Sequence, residues 1–142
     1  MNIAFFLIPK HEVVYLTAQS TLRQALERME YHRYTAVPVL SEEGHYIGTI
    51  TEGDLLWFLK NAPDVTFDNA HRHHVSAVPM RMQNKPVYID ANMTDLISKA
   101  KVQNFVPVID DREQFIGIVP RSSIIEYCSS RLFAGSAAAA KE

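Results

Sequence analysis

The sequence predicts an α/β (α+β) protein made of two β-α-β-β-α repeats that pack with pseudo-twofold symmetry. The first observation is a repeat: Val-Pro-Val at 37–39 recurs at 106–108, and Ile-Gly at 47–48 recurs at 116–117, both 69 residues later (37 to 106, 47 to 116). The second is that β-rich runs alternate with apolar residues at helical spacing. The third is size, because a unit of about 55 residues leaves an apolar sheet face uncovered unless a second copy packs on it.

The first repeat begins with a β-rich segment at 13–16, and an amphipathic helix follows it. The apolar face of this helix has residues at i, i+3, i+4 and i+7, namely Leu22, Ala25, Leu26 and Met29. Ser20 stands where an N-cap is expected. The repeat then continues with a strand at 36–40, a polar turn at 41–44, a strand at 46–50 and a helix at 55–59.

The second repeat has the same order with a shorter first helix. Its segments are a strand at 87–89, a helix with Leu96, Ile97 and Ala100 on its apolar face, strands at 105–109 and 115–119, and a helix at 124–127. The proline in the Val-Pro-Val strand of each repeat has no N–H, which predicts an edge strand or a bulge there. We expect repeat 1 at 1–62, a connecting segment at 63–85, repeat 2 at 86–130, and a tail at 131–142 whose end, from 134, is a frayed helix or disordered.

Composition limits the functional class. Of the 142 residues, 47% are apolar and 21% charged, as in a folded globular protein. The net charge of −2 argues against nucleic-acid binding. Cys128 is the one cysteine, which fits a reducing cytoplasm. The apolar run at 3–8 is far shorter than the roughly 20 residues of a membrane span. We therefore predict a cytoplasmic protein without a membrane partner, whose first apolar run is a buried strand or a clasp onto the other half.

The element order, the Val-Pro-Val strands and the turn at 48–54 together resemble the cystathionine-β-synthase (CBS) domain. The turn reads Gly-Thr-Ile-Thr-Glu-Gly-Asp and matches the pattern Gly-x-x-Thr-x-x-Asp of that family. The resemblance covers about residues 9–128. It implies a pseudo-twofold pair with two clefts, often dimerised. Such pairs usually bind AMP, ADP, ATP or related adenosyl ligands, and some bacterial examples resemble cyclic di-AMP receptors.

Thr51 and Asp54 allow two interpretations. Thr-x-x-Asp directly before an apolar helix resembles a capping box. The same geometry offers helix N–H groups and the Thr51 hydroxyl to a phosphate, and a carboxylate to two ribose hydroxyls. Glu52 lies in the same turn. The resemblance implies that the opposite repeat binds the adenine base in this first cleft. The residues it assigns to that contact are Val87, Tyr88, Asn104 and Phe105. Core packing is the alternative for Phe105.

The second cleft departs from the family pattern. Its expected residues are Lys10, Val13, Val14, Tyr34, Thr35, Ala36, Arg121 and Ser122. Pro120 stands where the pattern has Thr, and Ser123 stands where it has Asp, so the ribose clamp is lost although Ser123 can still cap the helix. Arg121 and Lys10 are candidate phosphate ligands, and a solvated surface charge is the alternative for each.

His71, His73 and His74 cluster with Arg72 in the connecting segment. A metal site needs convergent ligands with fixed spacing, and no cysteine or second histidine group accompanies these three. We predict a solvated loop and no metal.

The sequence therefore predicts a non-enzymatic sensor with an adenine nucleotide as regulatory ligand and no obligatory cofactor. It contains no readable catalytic triad, metal motif or phosphate-binding glycine loop. We expect the ligand to change contact with an unidentified effector protein. The apolar helix residues Leu55, Leu56, Trp57 and Phe58 predict a homodimer. The alternatives are a cyclic di-AMP receptor, which would favour the Tyr34 and Arg121 cleft, and a structural dimerisation module without a ligand.

Overall fold

The computed structural model describes the backbone of residues 2–141 and the side chains of residues 2–134. A short strand, β1 (Ile8–Pro9), precedes the two repeats. Repeat 1 consists of β2 (Leu16–Thr17), α1 (Leu22–His32), β3 (Ala36–Leu40), β4 (Tyr46–Thr51) and α2 (Glu52–Asn61). Repeat 2 consists of β5 (Val87–Tyr88), α3 (Met93–Ala100), β6 (Phe105–Ile109), β7 (Phe115–Pro120) and α4 (Arg121–Lys141).

Each repeat forms one sheet. Repeat 1 has the strand order β2-β3-β4, and repeat 2 has β1-β7-β6-β5. The hairpins β3–β4 and β6–β7 are antiparallel. The first strand of each repeat is parallel to its neighbour, β2 to β3 and β5 to β6. The pair Val37–Ile50 in repeat 1 corresponds to Val106–Val119 in repeat 2. The predicted fold class and the two β-α-β-β-α units are confirmed.

Each sheet buries its apolar face under its own two helices. The first core contains the predicted α1 face, Leu22, Ala25 and Met29, and the second contains Leu96 and Ile124. The connecting segment adds Val65, Ala70, Val75 and Val78 to the first core. Burial of such side chains supplies the main driving force for folding.

The N-terminal segment packs on repeat 2 rather than on repeat 1. Ile3 is fully buried in the second core, within a 3-10 turn at Ile3–Phe6. Next, β1 pairs with β7, Ile8 opposite Ile118 and Pro9 opposite Gly117. The expected clasp onto the other half is confirmed, and its strand has only two residues. We call residues 3–9 the N-terminal clasp.

Equivalent residues of the two repeats meet at the seam between them. His45 and Gln114 are 69 positions apart, like the repeated motifs, and form an antiparallel bridge with each other. Next to them the Phe115 N–H donates to the Gly44 carbonyl at 3.0 Å. The rings of Tyr46 and Phe115, also an equivalent pair, stack with centroids 6.3 Å apart. Contact between equivalent residues places the pseudo-twofold axis here and confirms the predicted symmetry.

The proline-containing strands β3 and β6 each lie between two other strands. The prediction that they are edge strands is therefore wrong. Pro38 pairs with Thr49 of β4. On the other side β2 reaches only Val39 and Leu40, so no neighbouring strand needs an N–H from Pro38. The register irregularity lies one residue further on, between Val39 and Leu40.

Two expected helix caps are corrected. The N-cap of α1 is Thr21, whose hydroxyl accepts from the Gln24 N–H at 3.1 Å, while the Gln24 side chain accepts from the Thr21 N–H at 2.9 Å. Ser20 instead accepts from the Thr17 N–H at 3.0 Å. Ser123 cannot be the cap of α4, because that helix already begins at Arg121.

The C-terminal tail continues α4 without interruption. The backbone is helical to Lys141, whereas disorder or fraying was expected from residue 134. The side chains of 135–141 and all of Glu142 lie outside the described residues.

Candidate functional site

The turn into α2 forms a reciprocal capping box. The Thr51 hydroxyl accepts from the Asp54 N–H at 3.1 Å, and the Asp54 carboxylate accepts from the Thr51 N–H at 3.0 Å. Asp54 is 5% exposed. A carboxylate in the first turn is stabilised by the free N–H groups and the dipole of the helix. The capping interpretation of these two residues is therefore confirmed, and ligand binding by them stays a prediction.

A second backbone group occupies the other oxygen of Asp54. The Arg81 N–H donates to Asp54 Oδ1 at 3.3 Å from the segment that joins the repeats. A small cavity of about 280 Å³ adjoins the carboxylate and is lined by Asp54, Trp57, Phe58, Asn61, Ala62, Pro79 and Arg81. The negative charge thus lies below the surface, between α2 and the connecting segment.

The repeat 2 residues assigned to the first cleft divide between two places. Val87 is buried in the core, and Tyr88 is 48% exposed. The Tyr88 hydroxyl donates to the Glu113 carboxylate, and this hydrogen bond raises the pKa of Tyr88. Val87 and Tyr88 line a groove of about 470 Å³ with acidic side chains such as Asp95, which is a different cavity from the one beside Asp54.

Asn104 and Phe105 contact the turn of their own repeat. The Arg121 N–H donates to the Asn104 carbonyl at 2.9 Å, and Phe105 pairs with Pro120. Phe105 is 7% exposed and packs in the core, as its alternative interpretation expected.

Residues 34–36 of repeat 1 likewise contact the turn of their own repeat. The Glu52 N–H donates to the Thr35 carbonyl at 2.9 Å, and Ala36 pairs with Thr51. Tyr34 is half-exposed and stacks on His32 with ring centroids 5.2 Å apart. The family resemblance had implied that this segment faces the turn of repeat 2. The structure brings it to the turn that contains Asp54.

Lys10, Val13 and Val14 lie near the seam. Lys10 Nζ is 5.5 Å from the ring centroid of Tyr15, and the Tyr15 and Phe115 rings are 6.4 Å apart. Val13 and Val14 line an open groove of about 630 Å³ beside α1. Among the residues assigned to the second cleft, Lys10 therefore makes a cation–π contact, with the ring of Tyr15.

Arg121 points its side chain toward the preceding loop. Its Nε donates to the Gln103 carbonyl at 2.8 Å, and the side chain lines an apolar groove of about 360 Å³ between α3 and α4. Ser122 beside it is exposed. Arg121 and Tyr34, which were assigned to one cleft, line different grooves, and their joint role in a ligand site stays a prediction.

Buried polar residues that the sequence pattern did not predict join the connecting segment to both repeats. Gln103, 3% exposed, accepts from the Lys85 N–H at 3.0 Å and donates to the Lys85 carbonyl at 3.2 Å. The Tyr46 hydroxyl donates to the Asn84 carbonyl at 2.7 Å, and burial raises the pKa of Tyr46 to about 12. The 73-residue offset between positions 14 and 87 could have indicated a packed segment here. It aligns the end of the connecting segment with the N-terminal clasp.

The histidine cluster lies on the surface of repeat 1. His74 pairs with Thr21, and its Nδ1 is 2.9 Å from the Gln19 carbonyl. Within the described part of the chain, no three histidine, cysteine, aspartate or glutamate side chains converge on a metal position. No helix found between residues 2 and 141 is both long and apolar enough to cross a membrane.

Comparison with known proteins identifies the repeats. The family model of the CBS domain matches residues 7–61 and again residues 75–130. A CBS domain-containing protein of Dictyostelium discoideum is 26% identical over 121 residues, which covers 78% of this chain and 81% of the relative.

Solved structures show the same fold. The crystal structure of CbpB in complex with c-di-AMP superposes with a TM-score of 0.82 and 23% identity, and covers 96% of this chain and 89% of that one. The structure of CBSX2 in complex with AMP gives a TM-score of 0.69 and 20% identity over 91% of this chain and 96% of that one.

Proposed function

We propose, from the premise that this chain belongs to the CBS domain family, that it is a regulatory module whose ligand is an adenine nucleotide, AMP, ADP or ATP. The nucleotide acts as a signal and is not turned over. The observation that carries the proposal is the complete Thr-x-x-Asp turn of repeat 1, whose carboxylate lies buried at a helix N-terminus beside the segment that joins the repeats.

The chemistry of this turn suits a ribose. A carboxylate accepts two neighbouring hydroxyls as charge-assisted hydrogen bonds, and the Thr51 hydroxyl has a hydrogen left to donate to a phosphate. Tyr34 and Thr35 lie beside the same turn through the Thr35 carbonyl. Proteins of this fold have been solved with AMP and with c-di-AMP, which supports an adenine ligand.

Cyclic di-AMP is the second candidate, and the CbpB complex favours it. Its phosphate bridges use the 3′ hydroxyls, so it has no free ribose diol for Asp54. It would depend more on cationic and aromatic groups such as Lys10, Tyr15 and Tyr34 than an AMP ligand does.

The assembly we propose is a homodimer that signals to an effector protein in the cytoplasm. The groove between α1 and α2 has a volume of about 760 Å³ and an apolar floor that includes Leu55 and Leu59. Along α2 and its flank, Leu56 is 57% exposed, Trp57 42% and Phe67 73%, which is a large apolar surface for a monomer. Leu55 itself is buried and belongs to the core rather than to this surface.

Light scattering coupled to size exclusion tests the dimer. We expect a species of twice the 16.1 kDa chain mass at tens of micromolar protein. Leu56→Glu should shift it toward the monomer, while Lys101→Glu, at an exposed lysine that follows α3 in repeat 2, should not. A wild-type monomer at that concentration would contradict the proposal.

A thermal-shift screen tests the ligand. At about 100 times Kd, a bound nucleotide stabilises the fold by roughly 2.7 kcal/mol, on the order of 5–15 °C for a chain of this size. We expect such shifts with AMP, ADP or ATP and none with CMP or UMP. Equal shifts with all nucleotides would indicate general anion binding, and no shift with any of them would favour a structural module.

A further inference from the structure

The segment 79–85, which we call the linker strap, lies across the Thr51 and Asp54 turn of repeat 1. Its Arg81 N–H occupies Asp54 Oδ1, and its Met80 side chain lies against Gly48 in β4. At its far end the Asn84 carbonyl accepts from the Tyr46 hydroxyl. With the Thr51 N–H on the second oxygen, both oxygens of Asp54 already have backbone donors.

The N-terminal clasp makes the equivalent contact in repeat 2, and it is held more firmly. Leu7 and Met80 are 73 positions apart and pack on the equivalent glycines, Gly117 and Gly48. The clasp adds two paired residues, Ile8 and Pro9, to β7. The linker strap belongs to no strand of the repeat 1 sheet, whose order is β2-β3-β4. It is therefore the more easily displaced of the two covers.

The closed strap also leaves a polar group unsatisfied. Asn84 is 4% exposed, and among the residues that the structure describes neither its Nδ2 nor its Oδ1 has a hydrogen-bond partner. A buried amide without partners opposes the conformation that buries it, because the amide would be hydrated or bonded if the segment lifted. The strap is thus a low-stability element placed directly on the proposed ligand-binding carboxylate.

We propose that the linker strap is a cover that the nucleotide displaces from repeat 1, so that ligand binding is transmitted to repeat 2. This inference rests on the proposed function, because it takes Asp54 as the ribose acceptor. Ribose hydroxyls at Asp54 compete with the Arg81 N–H for Oδ1, and the strap lifts when they bind. Apparent affinity is reduced by the fraction of molecules in which the strap is closed.

The route to repeat 2 is short. The strap continues into β5, and its Lys85 backbone is held from both sides by the Gln103 side chain. The Gln103 carbonyl in turn accepts from Arg121 Nε at the start of α4. Movement of the strap therefore acts on the first strand and the last helix of repeat 2.

Hydrogen exchange of the full chain with and without saturating AMP is the direct test. We expect faster exchange in the complex within 80–84, above all at Arg81, whose N–H donates to Asp54 in the closed strap, while the amides of β3 and β4 exchange more slowly. Titration calorimetry of the same sample establishes binding. AMP binding with unchanged or slower exchange at 80–84 overturns the strap alone. If no binding is measured for AMP, ADP, ATP or c-di-AMP, the proposed function fails and the strap fails with it.

Two variants shift the closed strap in opposite directions. Asn84→Leu removes the unsatisfied amide, so the melting temperature should rise while AMP affinity falls about 3- to 10-fold. Met80→Ala loosens the strap and should tighten AMP binding despite a lower melting temperature. Leu7→Ala is the matched control on the clasp, and it should lower stability without changing AMP affinity. Equal AMP affinity in all three variants, or effects of Asn84→Leu and Met80→Ala in the same direction, would overturn the proposal.

Discussion

The two repeats have one fold and two different turns into their last helix. In repeat 1, α2 begins with the Thr51 and Asp54 capping box, and the carboxylate is buried. In repeat 2, Pro120 and Ser123 occupy the equivalent positions, and α4 begins directly after the strand at Arg121. The β3–β4 and β6–β7 hairpins nonetheless have the same register.

This difference shows that the fold does not require the acidic turn. Repeat 2 forms the same strands, helix order and core without it, because buried residues such as Val106 and Val119 determine the packing. In repeat 1 the Asp54 carboxylate caps α2 and also accepts the Arg81 N–H. Ligand binding by the carboxylate of repeat 1 stays a prediction, which the comparison of the two turns tests.

The largest loss of unfolding free energy should come from truncating a buried core side chain in either repeat. Leu22→Ala in repeat 1 and Leu96→Ala in repeat 2 each remove a fully buried side chain. We expect each to cost about 2–5 kcal/mol of unfolding free energy. Because the N-terminal clasp and the strap tie each repeat to the other, both variants should lower one common transition in urea, followed by circular dichroism.

Val102→Ala is the control for these variants, since Val102 is 71% exposed and should change stability by less than about 0.5 kcal/mol. Two separate transitions in either core variant would show that the repeats unfold independently.

A smaller effect distinguishes the clasp from the strap. A Cβ at Gly117 would collide with the Ile8 backbone carbonyl, so Gly117→Ala must move the clasp, and we expect a loss of about 1–3 kcal/mol. A Cβ at Gly48 would meet only the flexible end of Met80, at 2.8 Å. Gly48→Ala should therefore cost less than about 1 kcal/mol. Thermal denaturation of both variants measures the difference, and an equal or larger loss for Gly48→Ala would contradict the account of the strap.

The last effect on stability concerns the seam between the repeats. Phe115 stands in repeat 2 where repeat 1 has Tyr46, whose hydroxyl bonds with Thr49 and the Asn84 carbonyl at 2.6 and 2.7 Å. Tyr46→Phe makes the repeats alike and removes both hydrogen bonds, so it should cost about 1–3 kcal/mol. Tyr31→Phe is the control, because Tyr31 is 84% exposed. Equal stability of the two variants in urea would show that the seam does not depend on this hydroxyl.

The sequence predicted what depends on local pattern. The Val-Pro-Val and Ile-Gly motifs, repeated after 69 residues, located both hairpins. The i, i+3, i+4 and i+7 spacing located the buried face of α1, because amphipathicity is a property of neighbouring residues. The cap at Thr51 followed from the same local logic. The sequence did not predict that Arg81 covers Asp54, since that contact joins residues 27 positions apart. The direction of the Arg121 side chain likewise depends on the Gln103 carbonyl across the sheet.

Titration calorimetry of AMP into wild type, Asp54→Ala and Ser123→Ala compares the two turns directly. Position 123 is the equivalent of position 54, so Ser123→Ala is the matched control. A charged acceptor of hydrogen bonds is worth about 1.5–3 kcal/mol, so we expect Asp54→Ala to bind AMP about tenfold to a hundredfold more weakly. Ser123→Ala should bind as wild type does. If Asp54→Ala remains folded by circular dichroism and binds AMP as tightly as wild type, Thr51 and Asp54 only cap a helix, and the proposed nucleotide site is wrong.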